Sequence, residues 1–406
     1  MAEYSRIPTA AQLQLENFQL HISEEKVDEF KRLLCLSKLA HKTYESLQTD
    51  GRFGITHEWI SKGKEYWENK YNWRQREEFI NSFPNFIATI QDDDGESFRI
   101  HFAALFSHKQ DAIPLLLLHG WPGNHTEFLK VLGILRQKYS PNELPYHVIV
   151  PSLPGYTLSS GPPLTKDWNT EDIGRIMNKL MIGLGFGNGY ISQGGDIGAF
   201  VSCVLTVNHK ECHVNFAIGQ GVVQSNISDA ERQGLQRLQN FLTSGNAYFQ
   251  EHNTRPATIG CVLSSSPLAL LAWIGEKFIE WTDTTPDYEE ILDSVTLYWF
   301  TESIARGLYP YRTVVSHPCS PPLDLKNSIL TALHPLLSDP KYYCEKPLGY
   351  SSFPHELGPT PVEWLRKEAN LVWHRLHSKG GHFAAMEQPE LFLGDVEEFI
   401  HHIWPV

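Results

Sequence analysis

Positively charged residues are scarce in this chain relative to acidic ones. Its 34 lysines and arginines face 47 aspartates and glutamates, which gives a formal net charge of -13 at pH 7. Such a surface repels phosphate, so a nucleic acid or an anionic membrane is not expected as a partner. The sequence also lacks any run near the ~18 apolar residues of a membrane span, and its first residues are polar. We therefore expect a cytoplasmic protein without a membrane anchor.

Closely spaced cysteine pairs are missing as well. The six cysteines lie far apart in the chain, at Cys35, Cys203, Cys212, Cys261, Cys319 and Cys344. Without a C-x-x-C pair, this spacing is typical of reduced, buried thiols rather than of a disulfide framework or a zinc site. We expect neither a bound metal nor a cofactor.

The order of strand-like and helix-like segments indicates the fold class. Between about residues 98 and 218 the two kinds alternate, as in a parallel sheet flanked by helices. Leu115–Leu118 and His147–Val150 are predicted strands, and a helix with Asn169 as its N-cap is predicted to follow. Residues 212–218 are predicted to form a further strand.

The remaining segments divide the chain into four predicted parts. Residues 1–95 form an extension wrapped on the main domain, 96–221 the first part of an α/β core, 222–335 an inserted helical lid, and 336–406 the second part of the core. The lid is predicted because alternation stops there and aromatic helical segments follow one another. Strand patterns return at Leu348–Phe353 and Asn370–Trp373, with a helix beginning near Pro361 between them.

A glycine-rich turn surrounds Asp196. Gly and Asp are common turn formers, so Gly194–Gly198 alone also fits an ordinary loop. The apolar segments on both sides, however, match the strand and the helix of a nucleophile elbow, where small residues must flank the reactive one. An aspartate in that position attacks sp3 carbon and forms an alkyl ester, which points to epoxides or alkyl halides as substrates.

A base that activates water is expected in the loop after the last strand. His382 lies in that loop and follows two glycines, which allow close backbone approach. His374 and His377 are nearer the strand but lack the glycines, so they rank below it. Glycines and proline in His119–Gly123, after the strand at Leu115–Leu118, allow backbone N–H groups to face the site.

An acid that orients the base is expected between nucleophile and base in chain order. Glu356 ends a strand-like run and is favoured over Asp339, which lies in a Ser-Asp-Pro turn, and Glu363, which falls on the following helix. The predicted oxyanion donors are the backbone N–H groups of Trp121 and of Ile197, the residue after the nucleophile.

Motifs spread over the whole chain resemble one family. They are His119–Gly123 (HGWPG), Pro151–Tyr156 (PSLPGY), Gln193–Gly198 (QGGDIG), Gly380–Ala385 (GGHFAA) and Asp50–Ile55 in the extension. In their order along the chain these motifs resemble those of the microsomal-type epoxide hydrolases. They are most similar to those of the soluble fungal members, which lack a membrane anchor. The resemblance implies an α/β-hydrolase fold with a mostly parallel central sheet, an inserted helical lid and an N-terminal extension.

The resemblance also implies how the site works. An epoxide and water become a vicinal diol through an ester on Asp196, and two lid tyrosines, matched here to Tyr248 and Tyr311, hydrogen-bond the epoxide oxygen. A phenol suits this role because it can donate a proton yet stays protonated at neutral pH. Tyr309 lies close enough to Tyr311 to be its rival.

Two other functions compete with this interpretation. A haloalkane dehalogenase shares the Asp nucleophile but usually carries Trp directly after it, where this chain has Ile197. A non-catalytic binding protein would need none of the elements that are all present here. The aromatic lid favours a bulky or aryl epoxide, in detoxification or aromatic hydrocarbon catabolism. The family resemblance alone implies a homodimer.

Overall fold

A mixed nine-stranded sheet organises the described part of the chain, which in the computed structural model comprises residues 2–208, 212–214, 227–314 and 343–404. The strands are β1 (Gln14–Phe18), β2 (Asn85–Gln91), β3 (Ser97–Leu105), β4 (Ile113–Leu118), β5 (Tyr146–Pro151), β6 (Ile191–Gly194), β7 (Cys212–Val214), β8 (Cys344–Ser352) and β9 (Ala369–Leu376). Their order is β1-β2-β3-β5-β4-β6-β7-β8-β9.

The sheet is antiparallel at one end and parallel over the rest. β1, β2, β3 and β5 pair antiparallel in that order, whereas the pairings from β5 through β4 to β9 are parallel. Every residue of β4 and β5 is buried, as expected for parallel strands covered on both faces. The predicted strands at Leu115–Leu118 and His147–Val150 are therefore confirmed.

Helices surround this sheet and form a separate group between β7 and β8. In chain order they are α1 (Glu24–Leu36), α2 (His57–Asn69), α3 (Trp73–Asn81), α4 (Leu129–Lys138), α5 (Thr170–Met181), α6 (Asp196–Asn208), α7 (Asp229–Asn240), α8 (Ala247–Thr254), α9 (Pro256–Leu263), α10 (Pro267–Glu280), α11 (Tyr288–Phe300), α12 (Val362–Glu368), α13 (Ala384–Glu387) and α14 (Pro389–Ile403). α5 packs on α6, and α4 packs on α14.

Local sequence explains where α5 begins. Asn169 accepts a hydrogen bond from the backbone N–H of Asp172, whose side chain in turn accepts from the N–H of Asn169. This reciprocal capping satisfies two backbone donors that the first helical turn leaves unpaired. Asn169 is thus the N-cap, as predicted.

The described part of the predicted lid is helical, with α7 to α11 spanning most of residues 227–314. Residues 222–226 and 315–335 of that segment lie outside the described residues, as do 215–218 of the strand predicted at 212–218. The first residues of that predicted strand, 212–214, form β7. The bounds of the four predicted parts therefore stay predictions.

The N-terminal part contributes strands to the central sheet and contacts to the lid. β1 and β2 belong to the central sheet itself, and β2 was missed because nearly all of it is buried, which removes the alternating pattern. The helices of this part also contact the lid. Trp67 donates from its indole to Thr296 Oγ1 (3.1 Å), and Arg76 pairs with Asp293 on the same lid helix, α11.

No single helix in the described ranges combines the length and the apolar composition of a membrane span; α9 and α10 meet both conditions only when counted together, across a bend of 116°.

The C-terminal part of the core follows the prediction. β8 includes the predicted strand from Leu348 to Ser352 but ends before Phe353, and β9 includes the predicted Asn370–Trp373. α12 begins at Val362 with Pro361 as its N-cap, one residue before the first turn. Cys35, Cys203, Cys261 and Cys344 carry free thiols, as predicted, but the expectation that they are buried holds only for Cys344. Cys203 is half-buried, and Cys35 and Cys261 are exposed because they lie on the outer faces of α1 and α9.

Candidate active site

Asp196 lies at the sharp turn between β6 and α6. Its φ of +49° falls in the left-handed region, which is uncommon for a residue with a side chain and is typical of strained positions at functional sites. The turn is possible because its flanking residues are glycines. A Cβ at Gly194 would lie 2.1 Å from the carbonyl oxygen of Gly198, and a Cβ at Gly198 would lie 2.2 Å from that of Leu118. The predicted elbow geometry is thus present around Asp196.

The turn after β4 contacts one oxygen of this carboxylate. The backbone N–H of Trp121 donates to Asp196 Oδ1 over 2.8 Å. Gly120 makes this approach possible, since a Cβ there would lie 2.1 Å from the same oxygen. Of the two predicted backbone donors, Trp121 alone donates to Asp196 within the described residues; Ile197 lies next to Asp196 in the first turn of α6.

A buried histidine, His119, hydrogen-bonds to the backbone of this turn. His119 Nδ1 lies 2.9 Å from the carbonyl oxygen of Gly120, and its Nε2 accepts the backbone N–H of Leu153 (3.1 Å). Because Nε2 accepts, Nδ1 carries the proton and donates to Gly120. Burial lowers the pKa of His119 to about 4, so the ring is neutral at physiological pH. His119 therefore orients the backbone that carries the Trp121 donor.

His382 lies between two carboxylates. Its Nε2 is 3.3 Å from Asp196 Oδ2, and its Nδ1 is 2.5 Å from Glu356 Oε1. The same Oε1 accepts the backbone N–H of Leu357 over 2.7 Å, which fixes the position of the carboxylate. The side chains of His382 and Glu356 are each 1% exposed. Nucleophile, base and acid candidates thus form one continuous row.

The charges in this row decide the protonation of His382. Burial alone would lower its pKa, but the negative charges and hydrogen bonds of Glu356 and Asp196 outweigh burial and raise the pKa well above its usual value of 6.5. The resting site therefore holds an imidazolium between two carboxylates at neutral pH.

The rival residues lie elsewhere. His374 is on β9, and His377 Nε2 is paired with Asp395 at 2.6 Å. Glu363 is on α12 with 64% of its side chain exposed. Asp339 lies outside the described residues. Among the described candidates, Glu356 and His382 are the ones brought to Asp196.

Two tyrosines of the lid segment meet above the turn at Trp121. The ring of Tyr248, on α8, stacks on Trp121 with centroids 5.4 Å apart, and the ring of Tyr311 lies 6.0 Å from each of the two. Tyr309 instead donates its phenol to the carbonyl oxygen of Pro154 (2.8 Å), so it is committed away from this group. The structure thus distinguishes Tyr311 from its rival.

Burial raises the pKa of both tyrosines well above the usual value of 10, and the charge of Asp196 raises it further. Both phenols are therefore protonated at neutral pH. Since the charge of Asp196 raises the pKa of both phenols, the two phenols and the carboxylate share one site.

Sequence reasoning missed a buried cation beside these tyrosines. The ammonium of Lys277 lies 4.6 Å from the ring centroid of Tyr248 and 5.9 Å from that of Trp281, and it pairs with Glu276. The Lys277 side chain is only 3% exposed. Its one signal in the sequence was a lysine within the otherwise apolar stripe of α10, a pattern that more often marks a solvated position.

No group of three or more histidine, cysteine, aspartate or glutamate side chains is arranged to hold a metal ion within the described ranges.

Comparison with known proteins shows the family and the fold of this chain. The family model "Epoxide hydrolase N terminus" matches residues 15–128, and that of the "alpha/beta hydrolase fold" matches residues 113–259. The solved structure of an Aspergillus niger epoxide hydrolase is 44% identical, with a TM-score of 0.90 over 99% of this chain and 100% of the other.

More distant relatives carry the same description. Juvenile hormone epoxide hydrolase of the silkworm Bombyx mori is 26% identical, with a TM-score of 0.82 over 97% of this chain and 95% of that one. Epoxide hydrolase 1 of Sus scrofa is 28% identical over 98% of this chain and 90% of its own length. The chain therefore has the α/β-hydrolase fold and belongs to the epoxide hydrolase family. This membership favours epoxide hydrolysis over the dehalogenase and binding-protein alternatives.

Proposed function

We propose that this enzyme converts an epoxide and water to a vicinal diol in two covalent steps, with Asp196 as nucleophile and His382 as base. The observation that carries the proposal is the placement of one imidazole between two carboxylates, 3.3 Å from Asp196 Oδ2 and 2.5 Å from Glu356 Oε1. One carboxylate is free to react while the other stabilises the charged base.

In the first step Oδ2 of Asp196 attacks an epoxide carbon, while the N–H of Trp121 holds Oδ1. The ring C–O bond breaks, its electrons pass to the epoxide oxygen, and that oxygen takes a proton from Tyr248 or Tyr311. The product is a hydroxyalkyl ester. Because ester formation removes the charge of Asp196, the pKa of His382 falls, and the imidazolium returns a proton to the phenolate.

In the second step neutral His382 takes a proton from water as the water oxygen bonds to Cγ of Asp196. The carbonyl electrons move onto Oδ1, which the N–H of Trp121 stabilises. When the carbonyl re-forms, the Cγ–Oδ2 bond breaks, and the departing diol oxygen takes the proton of the new carboxylic acid. The carboxylate and the imidazolium of the resting site are thereby restored.

Intact-mass measurement with styrene oxide tests these assignments. His382→Gln should accumulate a covalent adduct, because alkylation proceeds and hydrolysis does not. The adduct should be missing in Asp196→Ala, and His374→Gln, on β9, serves as the control that turns over normally. Diol formation by Asp196→Ala at the wild-type rate would overturn the mechanism.

The aromatic side chains around the site support a bulky, apolar and preferably aryl epoxide as substrate. The ring centroid of Tyr248, for example, lies 5.4 Å from that of Trp121 and 5.2 Å from that of Trp281. A larger kcat/KM for styrene oxide than for propylene oxide is expected; equal values would contradict this preference.

The biological setting is part of the same proposal. We place the enzyme in the cytoplasm as a homodimer that acts in detoxification or aromatic hydrocarbon catabolism, on the strength of its family resemblance. Cell fractionation and sedimentation velocity test the first two points. A monomer in sedimentation would remove the dimer from the proposal.

A further inference from the structure

A small cavity lies beside Asp196, and none of its lining residues comes from the lid segment 227–314. Its volume is about 20 Å³. A buried water needs roughly 10–15 Å³ and two to four polar partners, so the cavity has room for one water. The polar side chains that line it are His119, Trp121, Glu127, Asp196 and His382.

Glu127 is the second carboxyl group in this lining and has no part in the mechanism derived above. It lies on the 3₁₀ turn His125–Phe128, where its backbone N–H donates to the carbonyl oxygen of Asn124 (3.1 Å). Its carboxyl group packs against Gly123, where a Cβ would lie 2.3 Å from Oε2. Neither carboxyl oxygen hydrogen-bonds to any residue in the described part of the chain. The group is therefore held in place and available to a water in the cavity.

The surroundings keep Glu127 uncharged. Burial raises its pKa to about 8, the charge of His382 lowers it, and that of Asp196 raises it. The phenol of Tyr298 also faces Glu127, and an ionised Glu127 would raise the pKa of that phenol. At neutral pH Glu127 is thus mainly protonated, so it offers a carbonyl acceptor without adding a negative charge where an oxyanion must form.

We propose that this cavity holds the hydrolytic water and that Glu127 orients it for attack on the ester. The inference rests on the proposed roles of Asp196 and His382. The water donates one hydrogen to His382 Nε2 and the other to the Glu127 carbonyl oxygen, which directs a lone pair at Cγ of Asp196. The alkyl group stays on Oδ2 beside the lid tyrosines, so water and substrate occupy different sides of the carboxylate.

Substitutions of Glu127 separate this role from a structural one. Rapid quenching with styrene oxide, followed by intact-mass analysis, gives the alkylation and hydrolysis rates separately. In Glu127→Leu the lost hydrogen bond should slow hydrolysis about tenfold or more and let the ester accumulate, with alkylation changed less than about threefold. Glu127→Gln keeps a neutral carbonyl acceptor and should restore hydrolysis to within about threefold of wild type.

A second variant tests the cavity without touching Glu127. Ala385 lines it, and Ala385→Val should fill the space, exclude the water and again let the ester accumulate. Glu143→Gln, at an exposed position, is the matched control that leaves both rates unchanged.

The outcomes also separate this inference from the mechanism on which it rests. If the ester forms in Glu127→Leu and Ala385→Val but clears at the wild-type rate, the water site is wrong and the mechanism stands. If no ester forms in wild type or in any variant, the proposed mechanism itself fails.

Discussion

Replacing Glu356 by glutamine isolates the contribution of one buried charge. The amide oxygen of the glutamine can still accept the Nδ1–H of His382 and the N–H of Leu357, both of which Glu356 Oε1 accepts in the structure. The histidine tautomer is therefore kept and only the negative charge is lost. Charges roughly 4 Å apart at an effective dielectric constant of 20 interact by about 4 kcal/mol. The His382 and Glu356 side chains are each 1% exposed, so solvent screens this interaction little.

This magnitude predicts a large effect on one half-reaction. Loss of about 4 kcal/mol of imidazolium stabilisation corresponds to hydrolysis of the ester slowed by up to ~10³-fold. Alkylation does not require His382 as a base, so it should change by less than about tenfold. The ester should accumulate, and rapid quenching with intact-mass detection measures both rates.

The matched control is Glu363→Gln, which removes the exposed rival carboxylate on α12 and should leave both rates unchanged. Circular dichroism establishes that each variant is folded. If folded Glu356→Gln hydrolyses the ester within about threefold of the wild-type rate, the charge of Glu356 does not stabilise the base.

Three further predictions concern the phenols, the stability of the row and the elbow. Single Tyr248→Phe and Tyr311→Phe replacements should slow alkylation by about tenfold, since each removes one proton donor, and the double replacement should nearly stop it; stopped-flow fluorescence measures this step, and an unaffected double variant would remove both tyrosines from the site. The folded-state pKa of His382 is raised above its unfolded value of about 6.5, so the imidazolium stabilises the fold fully below that pH and loses this effect as pH rises through the folded pKa. The difference in unfolding free energy between wild type and Glu356→Gln should therefore narrow at alkaline pH in urea titrations. A difference that widens would contradict the raised pKa of His382. Gly194→Ala should lower the free energy of unfolding by about 1–3 kcal/mol and lower activity, because its Cβ would lie 2.1 Å from a backbone oxygen. The control is Gly394→Ala on α14, where a Cβ meets nothing within 4 Å, and it should raise that free energy by about 0.5–1 kcal/mol. Equal effects of the two substitutions would refute the steric argument.

Much of the site could be located from sequence because short motifs carry it. The elbow at Asp196, the turn at Trp121 and the loop of His382 each depend on glycines in fixed positions, and glycine patterns are visible in a sequence. Glu356 could only be ranked above its rivals by chain order, since its contact with His382 depends on how a loop folds. The roles of these residues stay predictions that the experiments above test.

The rest depends on contacts between distant segments. The burial of β2 hides its alternation, and the contact of Trp67 with the lid joins residues 229 positions apart in the chain. Lys277 and Glu127 carry no motif at all, and their positions follow from the packing of helices and turns around the site. Sequence periodicity describes single elements and does not report such neighbours.

The glycines around Asp196 also determine where this enzyme can diversify. A side chain at Gly120, Gly194 or Gly198 would meet atoms within 2.1–2.2 Å at the turn that fixes the nucleophile, so substitutions there should lower activity rather than redirect it. Lid residues such as Phe249 on α8 contact the rings of Tyr248 and Tyr311, so a change in their size acts on the lid side of the site rather than on the backbone of the elbow. Libraries that seek new epoxide selectivity should therefore vary the lid and leave the elbow constant, and natural relatives with different substrates should differ most in the lid.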